Sequence, residues 1–271
     1  MSSAPQKQIF FHVGTGKTGT TFLQYRVFPQ LKNIFYIQRT KYSKVKKIIG
    51  ETDHQNILIS REFDQQLEKE IVWFTESFPD TTPVIVFRRH DSYIASQYRR
   101  FVKNGFSGTF SAFFDLESDN GYFKHTDLNY SHQVDLLKTY FAKKPVVLLY
   151  DDLRNDPKGF ILKLSRILNA EIDLDSVDFS RKHSSYTEKQ LKIIRYLSKR
   201  VNLTKRRKFK SAVLHFLWRI GFAAVRYSLL FLAKIIPSAW IDPKPFIDPG
   251  ELEKVKTHFS PDWDRIKKIS S

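Results

Sequence analysis

Residues 8–24 read Gln-Ile-Phe-Phe-His-Val-Gly-Thr-Gly-Lys-Thr-Gly-Thr-Thr-Phe-Leu-Gln. An apolar strand enters a glycine-rich turn with one lysine, and a helix begins directly after it. That order constrains the fold strongly. Glycines let backbone approach an anion, a helix start aims free N–H groups at it, and the lysine adds charge. The segment is therefore a candidate phosphate cradle, at the carboxyl end of a strand in an α/β sheet. Its spacing discriminates among cradles. A nucleoside-triphosphate loop needs Gly-x-x-x-x-Gly-Lys-Ser/Thr. Gly16-Lys17-Thr18 supplies the end of that pattern, but Phe11 stands where the first glycine belongs. Gly14, Gly16 and Gly19 satisfy the dinucleotide spacing, which also wants a carboxylate roughly 20 residues on. The chain there reads Phe-Tyr-Ile-Gln-Arg-Thr over residues 35–40, with no carboxylate.

A second candidate anion site follows the apolar run Thr-Pro-Val-Ile-Val-Phe at residues 82–87. Arg88 closes that strand, Ser96 lies eight residues on, and Arg100 four beyond, on the same helix face as Ser96. An arginine fork, a hydroxyl and a second arginine suit one dianion. Asp91 or Ser92 can cap the helix. A third strand-to-helix junction reads Tyr150-Asp151-Asp152-Leu153, after which Asp156 and Pro157 cap and open a helix.

Lys17-Thr18-Gly19-Thr20-Thr21 resembles the 5′-phosphosulfate loop of sulfotransferases that use 3′-phosphoadenosine 5′-phosphosulfate (PAPS). Arg88, Ser96 and Arg100 resemble that family's 3′-phosphate site, and Tyr150–Leu153 with Asp156-Pro157 is similar to a family strand–helix junction. The resemblance covers residues 8–200, with a weaker echo near residues 249–271. It implies a P-loop-containing sulfotransferase-like fold, a three-layer parallel sheet flanked by helices. It also implies PAPS as donor, with Gly16, Lys17, Thr18, Gly19, Thr20 and Thr21 around the 5′-phosphate and Lys17 as the catalytic charge. A loop at residues 180–185 would close over the nucleotide, with Ser184 as a contact; His183 stands where relatives carry asparagine. An acceptor base is needed. Glu62, just beyond the strand at residues 56–60, is the first candidate, because carbohydrate sulfotransferases place a glutamate near here. His12 is the second, on its ordinary pKa; His90 and Asp91 stand further off. The acceptor implied is a saccharide or another anionic or hydroxyl compound, its specificity lying in loops such as residues 103–124.

The strands expected are residues 9–13, 56–60, 84–87 and 146–150, alternating with helices over 20–28, 43–49, 64–77, 91–104 and 128–141. Such alternation gives an α/β fold with ligands at the strands' carboxyl ends. A single domain over residues 1–271 is expected. The chain has no cysteine, so thiolate and disulfide chemistry is excluded. Its eight histidines show no ligand spacing and no metal is expected. With no apolar N-terminal stretch, a cytoplasmic location is expected. The net charge of +17 calls for an acidic partner. Much of it sits at residues 199–210, beside an apolar stretch at 209–237 that Arg219, Arg226 and Lys234 interrupt. The basic, amphipathic block 199–240 can lie on an anionic membrane surface, pack on the domain, or bind another copy. No specific nucleic acid is expected. A nucleotide kinase, with Asp151 or Asp152 holding Mg²⁺, and a non-catalytic basic binding module remain the competing functions.

Overall fold

The computed structural model describes residues 7–180, 186–201, 209 and 211–270. Elements run β1 (Gln8–Gly14), α1 (Thr20–Phe22), β2 (Phe35–Ile37), α2 (Val45–Glu51), β3 (Asn56–Glu62), α3 (Leu67–Thr75), β4 (Thr82–Phe87) and α4 (His90–Lys103). Then come α5 (Phe110–Phe113), α6 (Tyr130–Tyr140), β5 (Val146–Leu149), α7 (Tyr150–Asn155), α8 (Pro157–Ile167) and α9 (Glu188–Arg200). The chain closes with α10 (Ala212–Leu232), α11 (Pro249–His258) and α12 (Ser260–Ile269). Two compact units result: Met1–Tyr93 with Thr126–Ser180 and His258–Ser271, and Ile94–His125 with Arg181–Thr257.

The first unit is an α/β sandwich, as the strand–helix alternation predicts. Its sheet has the order β2-β3-β1-β4-β5, all pairs parallel. Side-chain alternation sorts the strands' residues onto two faces. Phe11, Val13, Ile57 and Ile59 meet Ile71 and Phe74 of α3, together with Val134 of α6. Phe10, Leu58, Val84, Val86 and Leu148 meet Leu23, Leu153 and Phe160 on the other side. The four predicted strands are present. β2 was not among them, because three residues at a sheet edge leave no readable alternation. The helix expected over residues 20–28 is instead a short α-turn that widens to a π-type stretch at Leu23–Val27 and tightens to a 3₁₀ turn at Phe28–Gln30. Pro29 sits in that last turn, where a missing N–H suits no continued α-helix. The Asp156 side chain caps α8 by accepting from Gly159 N, with Pro157 at the first position, as the sequence indicates.

At the amino end of α12, Asp262 holds two segments. It accepts from His90 Nε2 at 3.0 Å, from Tyr130 N and Ser131 N at 3.0 Å each, and from Ser131 Oγ. The His90 ring is stacked between Tyr130 and Phe259, at 4.0 and 4.7 Å. Burial alone would raise the Asp262 pKa. The hydrogen bonds from His90 and Ser131 and from two backbone N–H groups outweigh it and hold the carboxyl below its ordinary value. A carboxylate held low stabilises the fold fully above its unfolded pKa and loses that contribution as pH falls through the lowered one. Asp262→Ala is expected to cost about 2–3 kcal/mol in urea unfolding near neutral pH. Asp262→Asn should flatten the loss of stability below the ordinary carboxylate pKa.

Candidate active site

The glycine-rich turn lies where β1 ends, held from three sides. Within the loop, Thr18 Oγ1 donates to Thr15 O at 2.8 Å. From beyond β3, Gly16 N donates to Asp64 Oδ1 at 2.9 Å. From below, Leu153 of α7 fills the space beside Gly19: a Cβ there would lie 2.4 Å from Leu153 Cδ2. Gly19 has a φ of 82°, so only glycine fits without strain or clash. Lys17 adopts a φ of 75° although it carries a side chain, and that side chain is exposed. Strained backbone of this kind costs of order 1 kcal/mol and is concentrated at functional sites. The helical stretch begins at Thr20, and no side chain caps its first turn.

Several predicted site residues meet here in other roles than a bare cradle would give them. The Thr18 side chain is buried and spent on the loop itself. Thr20 is buried too, and its hydroxyl donates to Glu62 Oε1. Thr21 is exposed. Glu62 is brought to the loop by sheet register, since Gly14 pairs with Glu62 across β1 and β3. It is half-buried, at the carboxyl end of its strand.

His12 lies below the loop and is buried, 2% exposed. Its Nδ1 is 2.8 Å from Ser60 Oγ, which also accepts from Gln24 Nε2 at 2.9 Å. Burial pushes the imidazole down to about 4, so it is neutral near pH 7. The His12–Ser60–Gln24 network was not foreseen; its only sequence signal is a polar residue on an inward position of each of two adjacent strands.

Arg88 stands beyond β4, the other neighbour of β1. Its Nε donates to Ser92 Oγ at 2.8 Å, and Nη1 donates to Lys17 O at 3.1 Å. The guanidinium lies 4.8 Å from the Tyr150 ring centre. Burial lowers its pKa, partly offset by Tyr150, Tyr130 and Asp151, and it remains a cation at neutral pH. Sequence spacing found Arg88; Ser92 and Tyr150 emerge as its supports only in three dimensions. Ser96 and Arg100 belong to the second unit and are half-buried one turn apart on α4. Ser184 falls outside the described residues. His90 and Asp91 are engaged elsewhere, His90 with Asp262 and Asp91 with the Arg89 guanidinium at 2.7 and 2.9 Å.

A groove of about 590 Å³ opens beside the end of β3. Arg39, Arg61 and Lys69 supply its positive charge, Glu70 a carboxylate, and Tyr42 and Trp73 its aromatic wall. Arg61 lies 5.6 Å from the Tyr42 ring centre, and Lys46 caps Trp73 at 4.5 Å.

Two outcomes follow from this geometry. Because the folded pKa of His12 is depressed from 6.5 to about 4, protonation favours the unfolded chain. Stability should fall by up to about 3 kcal/mol as pH drops from 6.5 to 4, and His12→Gln should remove that limb in pH-dependent thermal unfolding. Lys17→Gly should raise stability by about 1 kcal/mol, by relieving the left-handed backbone, while removing the site's exposed cation. Thermal melts of the two proteins check it.

No protein-family model matches the chain, and no curated protein matches it. Solved structures do. The crystal structure of a sulfotransferase from Alicyclobacillus acidocaldarius superposes with a TM-score of 0.51 at 15% identity, covering 76% of this chain and 98% of that one. A mouse sulfotransferase, SULT7A1 complexed with PAP, gives 0.44 at 15% identity, covering 67% and 70%. At such identity a likeness speaks to fold, and the first of these carries it: the five-stranded parallel sheet flanked by helices is a sulfotransferase fold.

Proposed function

We propose that this protein is a PAPS-dependent sulfotransferase acting on a hydroxyl or amine of a saccharide. One observation carries the reading: Arg88, at the end of β4, is hydrogen-bonded to the backbone of Lys17, in the loop after the adjacent strand β1. The Arg88 guanidinium is thus fixed against the loop that carries Lys17, at the carboxyl edge of the sheet, which supports a nucleotide with separate 5′ and 3′ anionic groups. The kinase reading fares worse. Its first loop glycine would fall at Phe11, which lies wholly buried inside β1.

The loop residues suit such a donor. Uncapped N–H groups at Thr20 and Thr21 point the start of a helix at the 5′-phosphate. Thr20 contributes through its backbone, its hydroxyl being held by Glu62. Arg88, aligned by Ser92 and seated on Tyr150, takes the 3′-phosphate. Bound PAPS supplies an activated sulfuryl group, transferred in line to the acceptor as the bond from sulfur to the 5′-phosphate breaks. Lys17 stabilises the charge left on that phosphate. Glu62 is the favoured base. One of its oxygens holds Thr20 and the other can take the acceptor's proton. His12, sealed beneath the loop, serves as a positioning residue for Ser60 and Gln24 rather than as a base. The groove of Arg39, Arg61 and Lys69 with Trp73 supports an acceptor that joins a sugar face to a negative group.

Thermal shifts separate the readings. 3′-Phosphoadenosine 5′-phosphate should raise the melting temperature, because it binds only the folded state. ATP with Mg²⁺ and duplex DNA should not match it; a shift with ATP–Mg²⁺ and none with the bisphosphate overturns the assignment. With labelled PAPS and an acceptor panel, Lys17→Ala should lower kcat about 10²–10³-fold with a smaller change in donor affinity. Arg88→Ala should erase the preference for a 3′-phosphorylated nucleotide.

A further inference from the structure

Helix α10 is built inside out. In the second unit it is 21 residues long, about 31 Å. Val213, Phe216, Leu217, Ile220, Tyr227 and Phe231 lie on one face and are each between 47% and 66% exposed. The opposite side carries His215 and Arg226, half-buried, Arg219, exposed, and Leu230, buried. There α9 holds the backbone: Gln190 Nε2 donates to Leu230 O at 2.8 Å, and Lys189 Nζ to Lys234 O and Ile236 O at 2.9 and 3.0 Å. The apolar surface continues into Ile235 and Trp240, 73% and 79% exposed. A shallow hollow of about 500 Å³, lined by Phe209, Leu214, Trp218, Phe222 and Val225 among others, opens along the same helix. The stretch Val213–Leu232 is long and apolar enough to cross a membrane, with 6% of its most apolar window buried.

Water is a poor partner for a hydrocarbon face of this size. Charge identifies a better one. Residues 189–241 contain 13 lysines and arginines and no aspartate or glutamate. A second copy seated on this face would bring a like-charged stretch against it, and nucleic acid offers nothing to the apolar side chains between the charges. An anionic lipid surface satisfies both. Its headgroups take Lys199, Arg200 and Lys234, and its acyl boundary takes the outward face of α10. Arg219 and Arg226 stand seven residues apart on the side away from the apolar face, and α9 fastens the helix at Leu230, which suits a helix lying in the plane of the membrane rather than crossing it.

We propose that α10 is an in-plane anchor that docks the protein on anionic membranes through its outward apolar face. The proposal does not depend on the reaction catalysed. Full-length protein should float with vesicles of phosphatidylcholine containing a quarter phosphatidylserine, and about tenfold less with phosphatidylcholine alone. Phe216→Ser, Ile220→Ser and Phe231→Ser combined should cut flotation on the anionic vesicles about tenfold. Lys199→Glu with Arg200→Glu, a second variant that leaves the helix intact, should weaken it and flatten its salt dependence. Tryptophan emission should shift to the blue on binding, less so in Trp240→Phe. Absence of flotation by the wild type, or a dimer in gel filtration that the triple-serine variant disperses, overturns the proposal. So does flotation that the serine variant retains while its circular dichroism and melting temperature match the wild type.

Discussion

Everything at the candidate site depends on the parallel pairing of β1 with β3. Seven residues pair in sequence, from Gln8 opposite Asn56 to Gly14 opposite Glu62. Where the ladder ends, the stapling does not. Three consecutive residues continue it into the loop: Glu62 accepts from Thr20, Phe63 N donates to Gly14 O at 2.7 Å, and Asp64 accepts from Gly16 N. A slip of one residue would turn Glu62 away from Thr20 and put Arg61 in its place. The buried apolar residues of β3 would change faces at the same time, so the hydrophobic core enforces the register on which the polar contacts depend.

Polar burial beneath the loop is the second constraint. His12, Ser60 and Gln24 bring hydrogen-bonding groups into a region lined by Phe28 and Leu23. Buried polar groups cost free energy unless paired, and a joined set accepts few alternative arrangements. The network therefore fixes the lateral relation of β1, β3 and the helical stretch after the loop. Arg88 does the same from the β4 side through Lys17 O. The loop is fastened on both flanks by neighbours of the strand that carries it.

The sheet was legible because its strands are buried on both faces and read as continuous apolar runs. β2 was not, since Phe35–Ile37 is short and half-exposed at the sheet's edge. Spacing identified Gly14–Thr21 and Arg88 because phosphate chemistry dictates both residue type and separation. Spacing could not say which hydroxyls remain available: Thr18 and Thr20 face inward because of partners at Thr15 and Glu62, one local and one 42 residues away. Nor could it separate His12 from Glu62 as a base. That distinction is one of burial, and burial depends on what covers β1. The stretch at 209–237 read as amphipathic, but only folding against α9 decides which side of it is covered.

Leu153 beneath Gly19 has a consequence of its own. The loop's height above the sheet is set by a methyl group in van der Waals contact, and its lateral place by short hydrogen bonds. Neither responds much to ionic strength. The attraction of an anion to Lys17 and Arg88 does respond, because exposed charges are screened within about 10 Å at 0.1 M salt. Salt therefore acts on how strongly the cradle holds an anion and leaves its shape unchanged. The two properties rest on separate physical supports, hydrocarbon for form and charge for grip.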